Sequence, residues 1–142
     1  MFIVRSGRST MEWYTAPASQ AFVKGALVYF DGSGNIIPAD STSGDHAGII
    51  QRVIASTDAD YASAKKVPVL KCYEDTVLEV DVDSGTALTA AMVGNAYDLT
   101  DSDSINVGAT SKKQVTVVGF ISATKALVKI NSIYEVLRVA TT

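Results

Sequence analysis

Alternation of apolar and polar residues is the strongest regularity in this chain. In residues 76–82, Leu78, Val80 and Val82 fall on one side and Val77, Glu79 and Asp81 on the other. Apart from Val77, that is the pattern of a half-buried antiparallel strand with one wet face. Residues 26–30 and 35–38 are short apolar runs joined by Asp31-Gly32-Ser33-Gly34. They predict a hairpin whose glycines supply positive φ, with Pro38 at a sheet edge or exit.

Further strands are expected over residues 47–55, 66–73, 94–100, 104–107 and 114–121, and 126–131 pairs back on the last across Ser122-Ala123-Thr124-Lys125. Residues 57–65 and 87–92 offer at most single helical turns, the second through Ala, Leu and Met. No stretch of ten residues holds a helical period, and turn signals recur every 8–12 residues. The expected fold is therefore all-β, a compact antiparallel barrel or sandwich with little helix. No internal repeat is visible.

Residues 1–21 stand apart. Arg5, Gly7, Arg8, Ser9 and Thr10 mix with Trp13-Tyr14 and Pro17, and neither a 3.6 nor a 2.0 period fits them. They read as an extended N-terminal arm ahead of a β domain over residues 22–131, with 132–142 as a final strand or tail. Such an arm is either a frayed end or a docking element. Trp, Tyr and Arg are the anchors that interfaces favour, so Phe2, Arg5, Arg8, Trp13 and Tyr14 become the candidate interface residues.

Composition narrows the classes. At 142 residues and 47% hydrophobic content the chain suits one domain that removes roughly 68% of its unfolded surface. A net charge of −3 lacks the basic excess of a general nucleic-acid binder. The single cysteine, Cys72, forms no internal disulfide, so the fold suits a reducing cytosol. No run approaches the ~20 apolar residues of a membrane span, and Met1-Phe2-Ile3-Val4, followed at once by Arg5 and Arg8, is too short for an export signal.

Chemistry is sparse. His46 is the only histidine and reads as a surface loop residue; Asp45, adjacent in sequence, is poorly placed to orient it in a Ser-His-Asp triad. One His and one Cys exclude the usual zinc set. Residues 74–103 hold eight acids and no base, yet counting a calcium loop from Asp98 puts Asp103 where Gly belongs and Ala109 where Glu belongs. A solvated acidic face is expected instead. Gly32-Ser33-Gly34 has no helix behind it to bind phosphate. No catalytic residue, cofactor or metal is therefore expected.

Two resemblances follow from the motifs. Residues 5–9 (Arg-Ser-Gly-Arg-Ser), 57–61 (Thr-Asp-Ala-Asp-Tyr) and 95–99 (Asn-Ala-Tyr-Asp-Leu) resemble fragments of the deoxyuridine triphosphatase family, but their order is rotated and the family's Gly-rich C-terminal phosphate motif has no counterpart. Residues 23–31, 34–39, 48–52, 67–69, 93–99 and 118–122, taken in order across 22–131, resemble the small decoration (cement) proteins of tailed-bacteriophage capsids. That second resemblance implies a β subunit, often a homotrimer, on the outer surface of the virion. It would clamp adjacent major capsid protein subunits without binding nucleic acid or membrane, after assembly in the host cytoplasm. A host-attachment or head-fibre module and a ligand-binding β domain are the alternatives.

Overall fold

The computed structural model describes residues 1–44 and 46–131. The expected tail over 132–142 and the neighbour of His46, Asp45, lie outside them. Among the described residues eleven strands form: β1 (Ile3–Ser6), β2 (Ser9–Ala16), β3 (Leu27–Phe30), β4 (Ile36–Pro38), β5 (His46–Ile50), β6 (Lys65–Cys72), β7 (Val77–Val82), β8 (Ala96–Leu99), β9 (Ser104–Asn106), β10 (Val115–Ser122) and β11 (Lys125–Ile130). The only helix among the described residues is one 3₁₀ turn at Ala90–Met92. The chain is all-β, as the turn punctuation and the missing 3.6 period require.

The strands form two sheets. In the first, β7, β11, β10, β8 and β9 follow one another, and a parallel pairing of β9 with β7 (Asp81 opposite Ser104, Val82 opposite Ile105) closes a five-stranded barrel. β1 adds to the other half of the same β7 edge, with Ile3 opposite Glu79. In the second sheet the order is β2-β6-β5-β3-β4, and a bridge between Thr15 and Asn35 brings its two edges together. Two core clusters result, the first of which also takes Leu27 and Ile49 from the second sheet. One core holds Leu78, Val80, Leu99, Ile105, Val115, Val117 and Val128; the other holds Val28, Ile36, Ile50, Ile54, Val67 and Val69.

Local chemistry fixes the details. The 31–35 turn closes through the Asp31 carboxylate, which accepts from the backbone N–H of Ser33 (2.8 Å) and Asn35 (3.2 Å), and β4 with Pro38 lies at the end of the sheet order as expected. β7 presents Leu78 and Val80 inward, as its alternation requires. The layers are tied by Gln114, fully buried, whose amide donates to the carbonyls of Asp40 (2.9 Å) and Ser43 (2.6 Å) and accepts from Leu99 N–H (2.8 Å).

The arm over residues 1–21 is corrected by the structure. β1 belongs to the first sheet and β2 to the second, where it pairs with β6 along its full length, from Ser9 opposite Cys72 to Ala16 opposite Lys65. Gly7 makes the turn between them: its φ is +83°, and a Cβ there would lie 1.9 Å from the Asp75 carbonyl oxygen. Only glycine fits so close a backbone approach at that φ. The segment escaped a period-2 reading because β2 is exposed on both faces over Thr10, Met11, Glu12 and Trp13 and becomes buried only toward Ala16.

Candidate interaction surface

Cross-strand neighbours share a face, so the register of β2 on β6 places Met11 beside Leu70 and Trp13 beside Pro68. Trp13 is 60% exposed and Met11 49%. Leu70 in turn lines a trough of about 270 Å³ whose other walls include Met1, Ile3, Val4 and Ile49. That trough also carries Lys24 and Gln51, and the exposed Met11 and Trp13 lie outside it, across the β2–β6 ladder from Leu70 and Pro68. The far edge of β2 has only the Thr15–Asn35 bridge among the described residues, which leaves residues 9–14 without a ladder on that side. Natural sheets blunt such edges with charge, proline or a cover. Here the edge carries one charge, the exposed Glu12, between an exposed methionine and an exposed tryptophan.

The candidate residues read from the sequence divide among different environments. Trp13 stands exposed on the β2 edge. Tyr14, its neighbour, points the other way; its ring meets Phe30 edge-on at 5.2 Å between centroids, against the second core. Phe2 is 2% exposed and packs in the first core, so it is no surface anchor. Arg5 is engaged within the chain, its Nε donating to Glu79 at 2.7 Å. Arg8 lies over the Tyr73 ring, 3.9 Å from its centroid, a contact worth about 0.5–1 kcal/mol at an exposed site. Sequence reasoning missed Met11, Pro68 and Leu70. The register of β2 on β6 is what finds them.

A second exposed apolar group sits on β10, where Val118, Phe120 and Ile121 stand beyond the last β8 pairings, Val115–Tyr97 and Thr116–Ala96. The acids at 74–103 are mostly engaged. Lys125 donates to Asp81 (3.0 Å) and holds its carboxyl below the usual range. Asp98 is buried and binds backbone N–H groups. Among the described residues no three His, Cys, Asp or Glu side chains assemble as a metal site, and no helix is long and apolar enough to cross a membrane.

The histidine reading also changes. His46 opens β5 and lines a groove of about 580 Å³ that reaches both sheets, with its ring nitrogens shielded from solvent. Cys72 shares that groove, and burial pushes its thiol up to about 12. The residues of the three nucleotidase-like fragments have structural partners here: Arg5 with Glu79, Asp60 with Arg52 (2.8 Å), and Asp98 with the 111–113 backbone. No protein-family model and no curated protein matches this chain.

Proposed function

We propose that this is a structural binding protein of a tailed-phage head, a decoration subunit that sits on the outer capsid surface between major capsid protein subunits and stabilises the shell. The observation that carries the reading is the open edge strand β2. Its exposed Met11 and Trp13 sit opposite Leu70 and Pro68 of β6, beside a backbone edge open to an added strand. An extended capsid segment laid on that edge gains main-chain hydrogen bonds, with Trp13 as the side-chain anchor. The ordered resemblance across 22–131 supports the same assignment.

A cement subunit needs area and shape rather than a reactive group. The second apolar group, on β10, suits self-association into a homotrimer, each contact burying ~1,200–2,000 Å². Three weak capsid contacts then act together, because the second and third are intramolecular once the first has formed.

The test is occupancy on capsids of the phage that encodes the protein, emptied of DNA. Trp13→Asp and Met11→Asp are expected to keep the native circular dichroism and to weaken binding about 30-fold or more, the equivalent of ~2 kcal/mol at an interface hot spot. Full decoration by both variants, or no wild-type binding to the shell, overturns the proposal. Reconstructed particles showing isolated monomers would overturn the trimer.

A further inference from the structure

The exposed stretch of β2 carries a single formal charge. Glu12 stands between Met11 and Trp13, and the β6 residue opposite it is Val69, which is fully buried. A cation for Glu12 must come from its own face of the sheet, where alternate residues and their cross-strand partners stand together. The register puts Lys71 there, opposite Thr10, and Arg8 shares the parity of Glu12 at the start of the strand. Both turn away from it. The Arg8 guanidinium lies 3.9 Å and the Lys71 ammonium 5.4 Å from the centroid of the Tyr73 ring, whose hydroxyl bonds Thr10 Oγ1 at 2.8 Å. Among the described residues Glu12 forms no ion pair.

A lone exposed charge on an edge strand ordinarily deters strand addition. The deterrence is selective, because it acts only on a segment that cannot answer the charge. In an antiparallel addition, directly opposite residues share a face, and like charges at that spacing repel while opposite charges attract. The residue that lands opposite Glu12 therefore decides whether the edge accepts a strand. Its two neighbours in sequence fall on the other face, opposite Trp13 and Met11.

We propose that Glu12 selects the strand that β2 accepts. The occupant is an extended segment of another protein, on the reading above the capsid protein, antiparallel to β2, with a lysine or arginine opposite Glu12 and an apolar residue on either side of it. The proposal rests on reading β2 as the docking edge. A second copy of this chain does not meet the requirement. Two identical antiparallel strands related by a two-fold axis pair in registers centred on one residue. Centred on Glu12, the register opposes the two carboxylates; centred on Met11 or Trp13, it sets Glu12 against Thr10 or Tyr14. Centred on Thr10, it brings Arg8 to Glu12, but Trp13 then falls opposite Gly7, whose φ of +83° takes the chain out of the strand. No symmetric register answers the charge and covers the tryptophan together.

The test uses the full chain and two blocked peptides, Thr-Val-Lys-Val-Thr-Val and the same sequence with Glu in place of Lys. Amide shifts of residues 9–14 are followed by NMR at peptide concentrations that reach dissociation constants of about 1 mM. The lysine peptide is expected to shift those amides and to bind about fivefold or more tightly than the glutamate peptide, a preference that added salt narrows. Glu12→Lys is expected to reverse the preference. Equal binding of the two peptides, no shift with either, or an unchanged preference in Glu12→Lys overturns the proposal. Amides of 9–14 that shift with protein concentration alone overturn it in favour of a second copy. On capsids, Glu12→Lys is expected to lower binding about fivefold. A loss in Trp13→Asp with none in Glu12→Lys removes this proposal and leaves the capsid reading standing; peptide selectivity without wild-type binding to the shell does the reverse.

Discussion

Asp98 holds Lys113 in a left-handed backbone conformation. Lys113 has φ +51°, and the Asp98 carboxylate accepts its N–H at 2.7 Å together with those of Lys112 (2.7 Å) and Ser111 (3.2 Å). Asp98 is 4% exposed, so its removal takes the acceptor from three part-buried backbone donors and releases a turn that L-residues rarely adopt unaided. Asp98→Ala is expected to lower stability by about 1–3 kcal/mol, measured by urea denaturation at constant m-value. The same residue lies in a fragment that resembles a nucleotidase motif. Deoxyuridine triphosphate hydrolysis by the wild type that Asp98→Asn abolishes, with folding intact, would give the residue a second role.

Trp13 and Tyr14 should respond in opposite ways to truncation. Trp13 rests on the outer surface, so Trp13→Ala is expected to change unfolding free energy by less than about 0.5 kcal/mol while weakening capsid binding. Tyr14 packs edge-on against Phe30. Tyr14→Ala is expected to cost about 2 kcal/mol in folding, a transfer and cavity loss plus the aromatic contact. Two denaturation curves check both, and similar losses would contradict the opposed orientation.

Gln114 joins the barrel to the 40–43 loop by three bonds with no exposure to solvent. Gln114→Leu keeps the volume and strands two carbonyls and an N–H. It is expected to destabilise by more than about 2 kcal/mol, since each unmet buried group costs ~1–3 kcal/mol. Differential scanning calorimetry gives the value.

Alkaline pH should act through Cys72. Its thiol ionises near 9.0 when unfolded and is raised to about 12 in the native state, chiefly by burial. The folded form therefore keeps its proton where the unfolded form loses it. The stability from the neutral thiol is complete below pH 9 and is lost as pH rises from 9 toward 12. Lysines and tyrosines titrate in the same window, so the difference between wild type and Cys72→Ala isolates the effect. That difference is expected to shrink steadily above pH 9, and a flat one would refute it.

Much of this was legible in the sequence. Residues 76–82 announced their inward and outward faces, and the Gly-rich turn after Phe30 announced its hairpin, because in both the alternation follows burial. Three features were not. β2 is exposed on both faces over residues 10–13, so its strand character is visible only once β6 is beside it. His46 looked like a loop residue because its flanks are Ser, Gly and Asp, yet β3 captures it as Tyr29's partner. Gly48, with φ +144°, approaches the Leu70 carbonyl so closely that a Cβ would lie 2.1 Å from its oxygen, a tertiary contact that leaves no local trace.

The division of β1 and β2 between the two sheets also sets an order of events during synthesis. Both strands leave the ribosome before their partners: β2 must wait for residues 65–72 and β1 for residues 77–79. At 5–20 residues per second that interval lasts roughly 3–15 seconds. Throughout it Met11 and Trp13 travel on an unpaired strand, the kind of species that aggregates or recruits a chaperone. Once the partners arrive, Gly7 links the two halves, and neither sheet is complete without the other. Unfolding should then be a single cooperative transition.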